Sequence, residues 1–190
     1  MSTILSNLLF TSPVFAQDSA AVAKAAAACG PADVQLDVST DKNKHPAATP
    51  DGGKALVYVV EVYEKLVDTI NIGSPTTKVG LDGAWVGANK GNSYFFLFVD
   101  PGEHHLCANW QSHLRRVSKL VSLAGFKAEA GKVYYFRARI IPQSSAVGGQ
   151  VASLELEPVN SDEGQLLVAS SSFSTSHPRK RQLSCSRLCG

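Results

Sequence analysis

Two runs constrain this chain more than anything else in it: Ala55-Leu-Val-Tyr-Val-Val-Glu-Val-Tyr63 and Tyr94-Phe-Phe-Leu-Phe-Val99. Both are dense in β-branched and aromatic residues, the side chains that pack best on a pleated surface. In the first run both alternating faces are largely apolar, which predicts a central strand covered on each side.

Turn chemistry punctuates the residues around them. Asp82-Gly83 sits between Lys78–Leu81 and Ala84–Gly87, and a type I′ hairpin turn needs positive φ at both central residues. Asp100-Pro101-Gly102 follows the second run and predicts a type II turn, with Glu103–Trp110 returning antiparallel. On that returning strand His104, Leu106, Ala108 and Trp110 share the core face. Glu103, His105, Cys107 and Asn109 share the other. Val117–Lys127 predicts a further strand, Gly131 a turn, and Lys132–Ile141 its partner. Leu154 and Leu156 lie in a last strand closed by Pro158. Upstream, Val34, Leu36 and Val38 alternate with Gln35 and Asp37 as a half-buried strand does, and Ser39–Lys54 reads as a loop. A short helix is expected over Ser161–Ala169, capped by Ser161 or Asp162.

About seven short strands, with turns roughly every eight to twelve residues, predict an all-β antiparallel sandwich, Ig-like or related. A small barrel is the alternative. The expected organisation is a signal peptide over 1–16, then an alanine-rich spacer with a first strand and loop over 17–53. The β-sandwich domain occupies 54–170, and a disordered basic tail 171–190.

The signal reading rests on Ile4, Leu5, Leu8, Leu9 and Phe10, followed by Val14-Phe15-Ala16 at a cleavage-like site. That apolar stretch is shorter than the roughly 20 residues a membrane span needs. No Leu precedes Ala26-Ala27-Ala28-Cys29 as a lipid anchor would require. Export to the periplasm or cell envelope is therefore expected, without a transmembrane span or lipid anchor. In such an oxidising compartment Cys29 is expected to bridge Cys107, which points away from the core toward whatever covers the back of its sheet. Cys185 and Cys189 lie in the tail.

Of the 190 residues 18% are charged, below the usual level of about 25%. The net charge of +2 is local in origin, because Arg179, Lys180, Arg181 and Arg187 crowd the tail. Such a balance carries no nucleic-acid footprint.

Motifs that carry chemistry are few. His105 and Cys107 share a strand face and define one alternative, a metal- or redox-linked role, but no Cys-x-x-Cys or His-x-x-x-His accompanies them. Gly87–Ser93 lacks the Gly-Lys-Ser/Thr order of a phosphate loop. Glu155 and Glu157 are expected to form a cross-strand ladder with Arg137 and Arg139. No catalytic residue, metal or cofactor is therefore assigned, and the chain is read as a non-enzyme. The candidate binding residues are Tyr63, Trp85, Asn89, Lys90 and Trp110, on strand ends and hairpin loops. Trp85 has two readings, an anchor for a partner or a lid on the core.

The stretch Val79-Gly-Leu-Asp-Gly-Ala-Trp-Val-Gly87, with Ser93-Tyr94-Phe95, Pro101-Gly-Glu-His-His-Leu106 and Ala130-Gly-Lys-Val-Tyr-Tyr-Phe136, resembles the bacterial domain-of-unknown-function family 2846. Its hairpin rhythm is similar to that of the surface-layer-associated PEGA modules. The resemblance covers roughly Lys54–Glu157 and implies an exported β domain, with no catalytic residue to carry across. The expected function is an envelope-associated binding or accessory module, presenting the loops Asp82–Asn92 and Asp100–Glu103 to an envelope protein or polymer. A structural tethering domain is the alternative.

Overall fold

A computed structural model describes residues 27–50, 52–63, 75–112, 120–145 and 149–179. The expected signal peptide, the spacer before residue 27, Cys185, Cys189 and the basic residues beyond Arg179 lie outside the described residues.

The described chain is an all-β sandwich of two sheets with one helix. Its strands are β1 (Leu36–Asp41), β2 (Ala55–Val62), β3 (Thr76–Leu81), β4 (Ala84–Lys90), β5 (Ser93–Val99), β6 (Gly102–Gln111), β7 (Val121–Ala128), β8 (Val133–Ser145), β9 (Gly149–Val159) and β10 (Ser172–Pro178). Helix α1 (Ser161–Ser170) stands between β9 and β10. A six-stranded sheet has the order β1-β10-β5-β2-β8-β9, and a four-stranded sheet the order β4-β3-β6-β7.

Between the sheets lies the main core, built from Val57, Val59, Val79, Phe95, Leu106 and Phe136 with their neighbours. A second cluster covers the outer face of the six-stranded sheet. There Leu56, Tyr58, Val60 and Tyr94 pack with Leu167 and Val168 of α1. Strand β2 is thus apolar on both faces because both are covered.

The Asp82-Gly83 turn forms as predicted, with φ of 49° and 94°. Two other turns do something different. Strands β5 and β6 belong to different sheets, and so do β7 and β8. The Asp100–Gly102 and Glu129–Lys132 turns are therefore corners between the layers rather than in-sheet hairpins. At the second corner Gly131 N–H donates to Lys54 C=O and Leu56 N–H to Lys132 C=O, which starts β8 beside the first residues of β2. The two strands consequently run parallel, Leu56 opposite Val133 through Val62 opposite Arg139. The sheet is mixed where an antiparallel one was expected. Its other parallel pairing joins β10 to β5 over Ser172–Phe173.

Strand β10 corrects the expectation of a disordered tail from residue 171. Its Ser-rich sequence has no apolar period, yet its hydroxyls are structural. Ser174 Oγ donates to Ala88 C=O at 2.7 Å, and Ala88 N–H donates to Ser176 Oγ at 3.1 Å. The β1–β10 ribbon is held in this way along β4. On the opposite flank Leu156 N–H of β9 donates to Ser122 Oγ of β7 at 2.9 Å.

The helix starts at Ser161 as expected, but its cap lies one residue earlier than predicted. Asn160 is its N-cap, accepting the Glu163 N–H at 2.9 Å, which leaves Ser161 and Asp162 inside the first turn. Gly164 faces the Tyr135 ring, and any Cβ there would collide with it. The Arg–Glu ladder forms in register, Arg137 opposite Glu157 and Arg139 opposite Glu155. Arg137 also reaches Glu163, which ties α1 to the sheet.

Candidate functional site

Cys29 and Cys107 form the expected disulfide, with Cα atoms 5.1 Å apart. It anchors residues 28–36 as a strap across the outer face of the four-stranded sheet. Gly80 makes room for it, since a Cβ there would lie 2.7 Å from Ala28 O. Three backbone carbonyls of the strap are bound from below. Gly83 N–H donates to Ala28 C=O, Trp85 Nε1–H to Pro31 C=O at 2.8 Å, and Lys78 Nζ to Val34 C=O at 2.9 Å. Where the strap turns into β1, Leu36 is bound twice by the Gln111 side chain. The Leu36 N–H donates to Oε1 at 2.7 Å and its C=O accepts from Nε2 at 2.8 Å.

Trp85 is therefore neither a free anchor nor a lid on the core. A bulge at Val79/Gly80 sets Trp85 opposite Gly80, on the strap side of the sheet. Its ring packs on Gly30 and carries the Lys78 ammonium 4.1 Å from its centroid. Burial pulls the Lys78 ammonium below its ordinary pKa, and the Asp33 carboxylate partly offsets this.

The other candidates scatter. Trp110 lies in the main core. Asn89 is fully buried, its Nδ2 donating to Val59 C=O at 3.0 Å. Tyr63 follows β2 and donates its N–H to Asn92 Oδ1 at 2.7 Å, and Lys90 is exposed at the end of β4. Asn89 and Trp110 flank Thr77 in register, but Trp85 does not join them. The Cys107 sulfur, which the metal or redox alternative joins to His105, is buried and bonded to Cys29. The neighbouring His104 is held by Asp82 Oδ2 at 2.6 Å and by Asp100 C=O at 2.7 Å. Partial burial disfavours its charged form, yet these two bonds outweigh that and raise its pKa.

Two features escaped sequence reasoning. One is polar and internal. Glu61 is 1% exposed and points between the sheets, accepting the Thr77 hydroxyl at 2.9 Å. Its Oε2, like Asn89 Oδ1, is buried without a hydrogen-bond partner among the described residues. Burial pushes the carboxyl well above its ordinary value, against a smaller opposing effect of the Thr77 bond.

The other feature is a run of rings on the outer face of the six-stranded sheet. Phe98 meets Phe96 edge-on at 6.1 Å, Phe96 meets Phe173 at 5.9 Å, and Phe173 meets the edge of Tyr94 at 5.5 Å. Tyr58 stacks on Tyr135 at 5.2 Å beneath α1. Tyr58 and Tyr94 are buried, but Phe96 and Phe173 are half-buried and Phe98 is 42% exposed. Beside Phe173 an open groove of about 320 Å³ is lined by Ser39, Thr40, Asp41, Lys44 and Thr175. Lys44 Nζ stands 5.4 Å from the Phe173 centroid. The run was visible in sequence as Tyr94, Phe96 and Phe98 at alternate positions, but Phe173 lay in the segment read as tail.

Among the described residues no helix is long and apolar enough to cross a membrane, and no three His, Cys, Asp or Glu side chains converge as a metal site. Comparison with protein-family models, curated proteins and solved structures finds no match for this chain.

Proposed function

We propose that this chain is an exported, non-enzymatic module of the bacterial envelope that binds its partner through the outer aromatic face of the six-stranded sheet. One observation carries the reading. A contiguous run of rings on one sheet face ends at an exposed Phe98 on one side and a groove beside Phe173 on the other. Half-exposed aromatics on a rigid sheet supply contact area at little entropic cost. The Cys29–Cys107 disulfide supports the exported half of the reading, since such bonds persist in oxidising compartments. The hairpin loops Asp82–Asn92 are a poorer choice of surface, because Trp85 and Asn89 are already engaged within the chain.

Amide hydrogen exchange of the full chain, with and without isolated envelope fragments, tests this. Added protection is expected on β1, β5 and β10. Protection confined to the Asp82–Asn92 and Asp100–Glu103 loops, or none at all, removes the reading. A tethering role has one observation in its favour, the strap that fixes the chain entering at Cys29.

A further inference from the structure

We infer that the groove beside Phe173 is a subsite for one pyranose ring of an envelope polysaccharide. The inference rests on the binding reading above and gives it a ligand class.

The antiparallel register of β1 and β10 sets the chemistry. Asp41 lies opposite Phe173, and one step along the same face Ser39 lies opposite Thr175. An aromatic ring and a carboxylate thus stand side by side, with two hydroxyls about 7 Å further along the strands. Thr40 and Lys44 complete the wall. A sugar ring presents a C–H face that packs on an aromatic ring, and a rim of hydroxyls that both donate and accept. The groove offers the complement of each. Phe173 is the floor, Asp41 accepts, Lys44 donates, and Ser39 and Thr175 do both.

The floor is preorganised. Phe173 is held by the edge of Tyr94 and by Phe96, and the Asp41 carboxylate is oriented by the Asn43 N–H on its Oδ1 at 2.9 Å. Rival ligands fit less well. A polyanion meets one ammonium, Lys44, beside the Asp41 carboxylate. A purely apolar ligand would strip water from the Asp41 carboxylate and the Ser39 and Thr175 hydroxyls without replacing their hydrogen bonds. The half-buried ring of Phe96 and the exposed ring of Phe98 continue from Phe173, so a chain of sugars seated at the groove has further rings to lie on.

The test is retention of the full chain by peptidoglycan sacculi, chitin, a β-1,4-glucan and a galactan, followed by titration with soluble oligosaccharides of whichever retains it. Retention is expected on at least one. Phe173→Ala should weaken it about tenfold or more, and Asp41→Asn about fivefold. Because Phe173 also packs on Tyr94, Thr175→Arg serves as a second variant. It fills the groove from an exposed position and should abolish retention with the fold intact by circular dichroism. Leu123→Ser, on the opposite sheet, should bind like the parent. Retention that survives Thr175→Arg overturns the assignment to this groove. No retention on any of the four, with protection of β1, β5 and β10 by envelope proteins, overturns the sugar class and leaves the binding face standing. Neither retention nor protection overturns both.

Discussion

Thr77 donates its hydroxyl to Glu61 Oε1 at 2.9 Å across the space between the two sheets. Among the described residues, the strand neighbours of the pair, Ser93 and Ala138 beside Glu61 and Asn89 and Trp110 beside Thr77, carry no ionisable group. A carboxylate without a cation in such a place is costly, so the site favours the neutral acid.

The consequence is a pH dependence of definite sign. The folded state keeps a proton on Glu61 that the unfolded state releases near the ordinary value of 4.5. Stability from this group is complete below that value and is lost as pH rises toward the raised folded one. Urea midpoints of the parent should fall across that range. Glu61→Gln, which keeps the shape and cannot ionise, should flatten the profile and exceed the parent at the alkaline end. Parallel profiles for the two proteins would refute a neutral Glu61.

The disulfide joins residues 78 apart in sequence, for which chain-entropy reasoning gives about 4.5 kcal/mol at most. Cys29→Ser combined with Cys107→Ala should lose an amount of that order in denaturant unfolding. Adding a reductant to the parent should reproduce the loss, and adding it to the variant should change nothing. Amides of the strap should exchange faster in the variant, while those of β2 keep their order.

Trp85→Phe isolates one bond under the strap. The ring that packs on Gly30 and underlies Lys78 is retained, but Pro31 C=O loses its donor. A cost of about 1 kcal/mol is expected. Gly80→Ala acts on the same strap by steric means and should cost about 1–3 kcal/mol, since Ala28 O must move.

Arg137 and Arg139 look equivalent in sequence but differ in their partners. Arg137 pairs with both Glu157 and Glu163, whereas Arg139 stays within the β8–β9 ladder. The Glu157 hydrogen bond is the main reason Arg137 titrates above its ordinary value. Arg137→Ala should therefore destabilise by more than Arg139→Ala, whose cost should stay below about 1 kcal/mol. Repeating the denaturation in high salt should shrink both losses.

The parts of the fold legible in sequence were those written in local pattern. The alternation in Glu103–Trp110 assigned Leu106 inward and Cys107 outward, and with that the disulfide. Asp82-Gly83 announced its turn, and the spacing of Arg137, Arg139, Glu155 and Glu157 announced a ladder. What failed depended on distant partners. A Pro-Gly turn looks the same whether the next strand pairs beside the last or crosses to another layer, so β6 was set against β5. Ser172–Pro178 showed no apolar period because its serines answer the backbone of β4 rather than a core. Glu61 is the one charged residue in a run read as apolar on both faces, and nothing near it in sequence says that Thr77 stands opposite. The aromatic face was half visible, and Phe173 was lost with the tail that carries it.

The serine bonds at the flanks bear on how copies of this protein meet. Strand margins with idle N–H and C=O groups invite another polypeptide to extend the sheet. Here Ser174 and Ser176 occupy both backbone groups of Ala88, and Ser122 occupies the N–H of Leu156. At those points hydroxyls of the same chain stand where a foreign strand would dock, so another copy cannot extend β4 at Ala88 or β9 at Leu156 without first displacing them.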